Sequence, residues 1–97
     1  MKTIDFKDFD NRFKGYVCVE GKTIYVPAIM SKEPGKGHFR YFVKIIKIKF
    51  NVVKFTNVNN EFLRSKLESY GFRHGREWAD YYNEFVDVMT WKKGGKP

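Results

Sequence analysis

Apolar and polar positions alternate along residues 38–55, HFRYFVKIIKIKFNVVKF. Phe39, Tyr41, Val43 and Ile45 mark one face of this segment, and Arg40, Phe42 and Lys44 the other. Past Ile45 the phase reverses: Ile46, Ile48, Phe50 and Val52 are apolar, while Lys47, Lys49 and Asn51 are polar. Alternation together with many aromatic and β-branched side chains predicts a strand. A β-bulge at the Ile45–Ile46 step restores a common face. On this reading Arg40, Lys44, Lys47 and Lys49 project from one side of a long, bent strand, with Phe42 among them. Two shorter strands broken near Phe50 and Asn51 are the alternative.

The flanking patterns supply the other elements. In GYVCVEGKTIYVPAIM, two apolar runs surround Glu20-Gly21-Lys22, the signature of a tight hairpin. The first strand covers about Tyr16 to Glu20, and the second starts near Thr23. Pro27 cannot donate to a ladder, so the second strand is an edge there, bulges or ends, and such an edge could pair with a second copy. SKEPGKGH, with Pro34, Gly35 and Gly37, is a loop. Near the N-terminus Phe6, Phe9 and Phe13 recur at helical spacing, and Gly15 can close a short helix, although TIDF alternates like a strand.

Two helices are expected in the C-terminal half. TNVNNEFLRSKLESYGF places Asn59 as N-cap, Val58 as a staple onto Leu63, and Leu63, Leu67 and Tyr70 as the buried stripe. Gly71 sits at the left-handed C′ position, from which Phe72 packs back on Leu67. In GREWADYYNEFVDVMTW, Trp78, Tyr81, Tyr82, Phe85, Val88 and Met89 form an apolar stripe. Glu77, Asp80, Glu84 and Asp87 form an acidic stripe opposite. Tyr82, Val86 and Trp91 are candidates for a partly exposed protein-contact surface.

These elements predict one small basic α+β domain spanning residues 1–97. A three-stranded, mostly antiparallel sheet, made of a β-hairpin plus the long bent strand, packs on two C-terminal helices, with a possible short N-terminal helix. The helices cover Tyr41, Val43, Ile46, Ile48 and Phe50, and residues 92–97 form a basic tail.

Charge changes the picture more than composition does. The chain carries a net charge of +8. Residues 32–54 hold seven bases against the single acid Glu33, and the tail adds Lys92, Lys93 and Lys96. Residues 55–91, by contrast, contain more acids than bases. Localised positive charge points to a polyanion, and lysines on an edge strand also guard against aggregation. Lys36, Arg40, Lys44, Lys47 and Lys49 are the expected phosphate contacts. Phe42 is the expected base-stacking residue, and Arg73, Arg76, Lys92 and Lys93 extend the track. Arg73, His74 and Arg76 would then lie where the last helix opens, a position that attracts anions.

Other chemistry is thinly represented. The lone Cys18 has no internal disulfide partner, and one cysteine with His38 and His74 gives no metal-ligand spacing. Cys18 reads as a small buried hydrophobe. No apolar run approaches the roughly 20 residues of a membrane helix, and the start of the chain does not read as a signal peptide, so the expected compartment is the cytoplasm. Asp10 followed by Glu20-Gly21-Lys22 has the outline of a magnesium-dependent nuclease site, but the same residues make an ordinary hairpin turn. The expected function is therefore non-catalytic binding of DNA or RNA, with no cofactor and no metal. An alternative is a small inhibitor or adaptor, such as a virus-encoded protein, that docks on an acidic surface of a host nucleic-acid enzyme. A minimal nuclease is third. Oligomeric state is left open.

Overall fold

The computed structural model describes residues 1–80 and 82–94. In chain order the elements are β1 (Lys2–Asp5), α1 (Phe6–Phe9), β2 (Phe13–Glu20), β3 (Thr23–Ser31), α2 (His38–Lys49), β4 (Val52–Thr56), α3 (Glu61–Ser69), β5 (Arg73–Ala79) and β6 (Glu84–Lys92). The six strands form one mixed sheet in the order β1-β2-β3-β4-β6-β5. Only β3 and β4 are parallel; β1–β2, β2–β3, β4–β6 and β5–β6 are antiparallel. This replaces the expected three-stranded sheet on two C-terminal helices with a six-stranded mixed sheet and three helices.

The short strand β1 is added at one edge, and two segments account for the rest of the difference. HFRYFVKIIKIK is helix α2, not a strand. Its buried residues, Phe42, Val43 and Ile46, with half-buried Phe39 beside them, follow the i, i+3, i+4, i+7 spacing of a helix. The phase reversal at Ile45–Ile46 is thus the drift of a 3.6-residue period, and no bulge is needed. Parallel strands also require a crossover connection, and α2 supplies it between β3 and β4. The intrinsic strand preference of the aromatic and β-branched side chains yields to this tertiary requirement. Tyr41 and Ile48, expected under the helices, are 54% and 71% exposed.

The second segment, residues 73–92, is a β-hairpin and not a helix. His74, Arg76 and Trp78 alternate with Arg73, Gly75 and Glu77, and each set faces its own side of the sheet. The turn between the strands is closed by the Tyr82 and Asn83 amides, which donate to the carbonyls of Ala79 and Asp80, with Asn83 at φ 53°. Tyr81, assigned by spacing to the apolar stripe, lies outside the described residues. The expected acidic stripe is divided: Glu77 is directed to one face of the sheet and Asp87 to the other.

Other expectations match local geometry. Residues 20–23 form the turn between β2 and β3, with Glu20 opposite Thr23. The β3–β4 pairing stops at Val26, and Pro27, with no N–H to donate, follows directly. Helix α3 is capped by Asn60, one residue beyond the expected Asn59, whose side chain accepts from the Leu63 amide at 3.1 Å. Gly71 has φ 92°, and the Phe72 amide returns to the Leu67 carbonyl.

All three helices pack on one face of the sheet. Phe6 of α1, Phe42, Val43 and Ile46 of α2, and Leu67 of α3 share a core with Val17, Ile24, Val26, Val53, Phe55 and Met89 of the strands. Two aromatic groups organise this core. Phe42 meets Phe6, Phe9 and Phe13, with ring centroids 5.5, 6.3 and 5.2 Å away. Phe39 meets Phe55 and Tyr70, and Phe55 meets Phe72. Helix α2 is therefore pinned at two places along its buried side. The other sheet face carries Tyr16, Cys18, Tyr25, Lys54 and Thr90. There Lys54 pairs with Glu77 at 2.9 Å. Lys54 lies opposite Thr90 and Glu77 opposite Val86, so their bridge runs diagonally over the intervening Val88. Val88 is only 2% exposed on a face that no described helix covers.

Candidate nucleic-acid interface

With the strand recast as a helix, the cations of residues 36–49 are redistributed by a 100° step per residue. Arg40 and Lys44, one turn apart, lie on the solvent side of α2, and Lys36 is exposed in the loop just before it. Among the described residues none of these three forms an ion pair. No aspartate or glutamate occurs between Pro34 and Asn60, so the helix has no acid of its own to neutralise them. The Gly37 N-cap, at φ 78°, provides no side-chain cap. Carbon–carbon packing of Phe42 and Phe39 below holds this positive ridge in place.

Phe42 does not belong to the ridge. It is 2% exposed within the Phe6–Phe9–Phe13 group, which leaves no ring face for a base. The aromatic residue that does share the solvent side is Tyr41, three positions before Lys44, with the Arg12 guanidinium 5.3 Å from its ring centroid. Sequence reasoning missed it because period two assigned Tyr41 to the buried face; the 3.6 period of the same residues would have found it.

Lys47 is also withdrawn. Its ammonium donates to the Tyr70 carbonyl oxygen and lies 5.3 and 5.2 Å from the ring centroids of Phe72 and Trp91. Burial there pushes its pKa below the usual lysine value, because desolvation disfavours the charged form.

A second basic group forms at the C-terminal end of α2, from segments distant in sequence. The Asn51 and Val52 amides both donate to the Lys22 carbonyl, and the Lys93 amide donates to the Asn51 carbonyl. The Lys93 ammonium reaches the Ile48 carbonyl at 3.3 Å. These bonds gather Lys22, Lys49 and Lys93, all exposed, at one end of the molecule, whereas Lys92, in register with Val52, is directed to the sheet face away from α2. The sequence places Lys22 in a turn and in the nuclease outline, not among the phosphate contacts, so its position beside Lys93 emerges from the β3–β4 and β4–β6 pairings. Lys92 closes β6 and Lys93 is tethered, whereas residues 95–97 of the expected tail lie outside the described residues.

Arg73 and Arg76 stand apart on the outer strand β5 and face opposite sides of the sheet. They do not flank a helix N-terminus, since no helix begins there. Arg76 lies 6.0 Å from the Phe85 ring centroid. His74 Nε2 is 2.8 Å from Asp87 Oδ1, and Arg64 of α3 approaches the same oxygen at 3.8 Å. The hydrogen bond with His74, and after it the nearby Arg64 and Arg76, hold the Asp87 carboxyl below its usual pKa.

The nuclease outline does not assemble. Asp10 precedes β2 and Glu20 ends it, so the eight-residue strand separates them by roughly 23 Å. Asp10 is instead bound by Arg12 through contacts of 2.8 and 2.5 Å. No cluster of three or more His, Cys, Asp or Glu side chains suited to a metal occurs among the described residues. A groove of about 390 Å³ opens where β3 parts from β4, lined by Pro27, Ile29, Met30, Phe55, Val58 and Leu63 among others, with Lys14 as its charged residue. Cys18 is partly exposed rather than buried, with Thr3 Oγ1 3.5 Å from its sulfur. No described helix is long and apolar enough to cross a membrane. No family model matches the chain, and no curated protein or solved structure matches it either.

Proposed function

We propose that the protein binds nucleic acid through the solvent side of α2. Lys36, Arg40 and Lys44 contact phosphates, Tyr41 packs on an exposed base or sugar, and Lys22, Lys49 and Lys93 extend the positive track. The observation that carries this reading is the presence of exposed, unpaired Arg40 and Lys44 on a helix whose other side is locked into two aromatic groups. The packed helix fixes the spacing of the cations, so no backbone ordering is required on binding, and affinity for a polyanion is dominated by counterion release.

The test is fluorescence anisotropy of nuclease-treated protein with short single- and double-stranded oligonucleotides across a salt series. Three phosphate contacts give a log–log salt slope of about −2 to −3. Arg40→Glu with Lys44→Glu should abolish binding. Lys2→Glu with Lys7→Glu, an equal double charge reversal outside α2, should only trim it. Absence of salt-dependent binding, or equal effects of the two reversals, refutes the proposal.

A second reading is an adaptor or inhibitor that docks on an acidic protein surface. The exposed Ile48 on the same ridge favours it, because an apolar side chain beside cations suits a protein groove better than a phosphate backbone. A stoichiometric protein partner that survives nuclease treatment and is lost in Ile48→Glu would select this reading.

A further inference from the structure

We propose that the protein self-associates through β5: two copies pair antiparallel, edge to edge, about Gly75, and merge their sheets into one. This goes beyond the nucleic-acid reading and does not depend on it.

The first support is the condition of the edge. β5 is an outer strand, paired with β6 over Arg73–Ala79 without a register shift. Six of its seven residues are exposed. Natural edge strands are guarded by shortness, proline, bulges or charged side chains, lysine above all; RHGREWA has no proline, bulge or lysine, and its charges are of both signs, so a second copy in the right register can match them. The other outer strand, β1, is guarded by its length of four residues.

The second support is charge complementarity under symmetry. Directly opposed residues of an antiparallel pair point to the same face. A two-fold axis between two β5 edges must therefore pass through a residue. Centring on Arg76 or Glu77 opposes like charges. Centring on His74 opposes two imidazoles and shortens the ladder. Centring on Gly75 sets Arg73 opposite the second copy's Glu77, and Glu77 opposite its Arg73. Both residues lie on the face where Glu77 already meets Lys54, so each carboxylate gains a second cation. On the helical face His74 comes opposite the second copy's Arg76, and in each subunit Asp87 lies beside that subunit's own His74 and Arg76. An axis perpendicular to the sheet keeps both helical faces, and hence both α2 ridges, on one side of the assembly.

Sedimentation equilibrium of nucleic-acid-free full chain should show a monomer–dimer equilibrium. Arg73→Glu alone and Glu77→Arg alone each place like charges in opposition at two sites, and each should weaken dimerisation about tenfold or more. Mixing the two variants restores opposite charges at both sites and should yield a heterodimer at least tenfold tighter than either variant's homodimer. Matched circular dichroism and melting temperatures confirm that each variant is folded. A wild-type monomer at every concentration overturns the proposal and leaves the edge to a strand from another protein. A dimer that neither reversal weakens, or that mixing does not rescue, overturns it in favour of a different interface.

Discussion

The ammonium of Lys47 crosses from α2 to the carbonyl oxygen of Tyr70, at the end of α3. Lys44, one turn earlier, makes no such contact and faces solvent. Two lysines three residues apart thus do different work. Removing Lys47 strips a helix-terminal carbonyl of its donor and exposes the rings of Phe72 and Trp91. Lys47→Ala should cost about 1–3 kcal/mol of stability and leave the salt slope of nucleic-acid binding unchanged. Lys44→Ala should leave the denaturant midpoint within about 0.5 kcal/mol of wild type and reduce the slope by nearly one unit. Chemical denaturation and anisotropy on the same two variants check both halves.

Gly15 provides the sharpest backbone constraint. It sits in β2 at φ 118°, and a Cβ there would lie 2.1 Å from the Ala28 carbonyl oxygen of β3. The obstacle is backbone, so it cannot rotate away. Gly15→Ala should destabilise by about 3 kcal/mol or more. Gly21, in the β2–β3 turn at φ 59°, has open space around its Cβ position. Gly21→Ala should therefore cost only about 1–2 kcal/mol, the penalty of the left-handed backbone. Denaturant midpoints that failed to rank the two in this order would remove the close approach as the explanation.

How much of this was legible beforehand depends on whether the governing interaction was local. The β2–β3 hairpin and the end of α3 were, because Glu20-Gly21-Lys22 and Gly71 act through the conformations of a few adjacent residues. Helix α2 was not. Phe39, Phe42, Val43 and Ile46 satisfy a helical period, but the chain around them also alternates for seven residues, and its composition favours strands. The requirement that decides between the two, a crossover joining parallel β3 and β4, is set by residues outside the segment. For the β5–β6 hairpin the aromatic spacing suggested only a helix, and the pairing that decides for strands, β6 against β4, is set by residues outside the segment. As for the site, Arg40, Lys44 and Lys36 were identified as exposed cations. Which aromatic accompanies them, and that Lys47 is occupied, follow only from the helical period and from Tyr70.

Asp10 and Arg12 make stability depend on pH. Their side-chain hydrogen bond, the largest influence on the carboxyl, holds the Asp10 pKa below 3.8. A depressed folded-state pKa contributes stability that is full above the unfolded value and is lost as pH falls through the folded one. At neutral pH Asp10→Asn should be less stable than wild type by about 1–2 kcal/mol. The gap should close as the pH drops below 3.8. Parallel thermal melts of the two proteins between neutral pH and acid measure it. A gap that persists unchanged into strong acid would show that the carboxylate charge is not its source.

Tyr41 and Phe42 are neighbours with opposite surroundings. Phe42 is 2% exposed and meets three phenylalanine rings, whereas Tyr41 is 54% exposed. Truncating Phe42 leaves a cavity beneath α2 that rigid strands cannot fill, and Phe42→Ala should cost about 3–5 kcal/mol. Any loss of binding in that variant then reflects the folded fraction and recovers when the protein is stabilised, for example by osmolyte. Tyr41→Ala should change stability by less than about 1 kcal/mol, yet weaken single-stranded oligonucleotide binding by about 1–3 kcal/mol if its ring stacks on a base. Double-stranded binding, in which bases are not available for stacking, should change much less. An equal loss on both substrates would reassign Tyr41 to backbone contact. No loss on either would confine the interface to Lys36, Arg40 and Lys44.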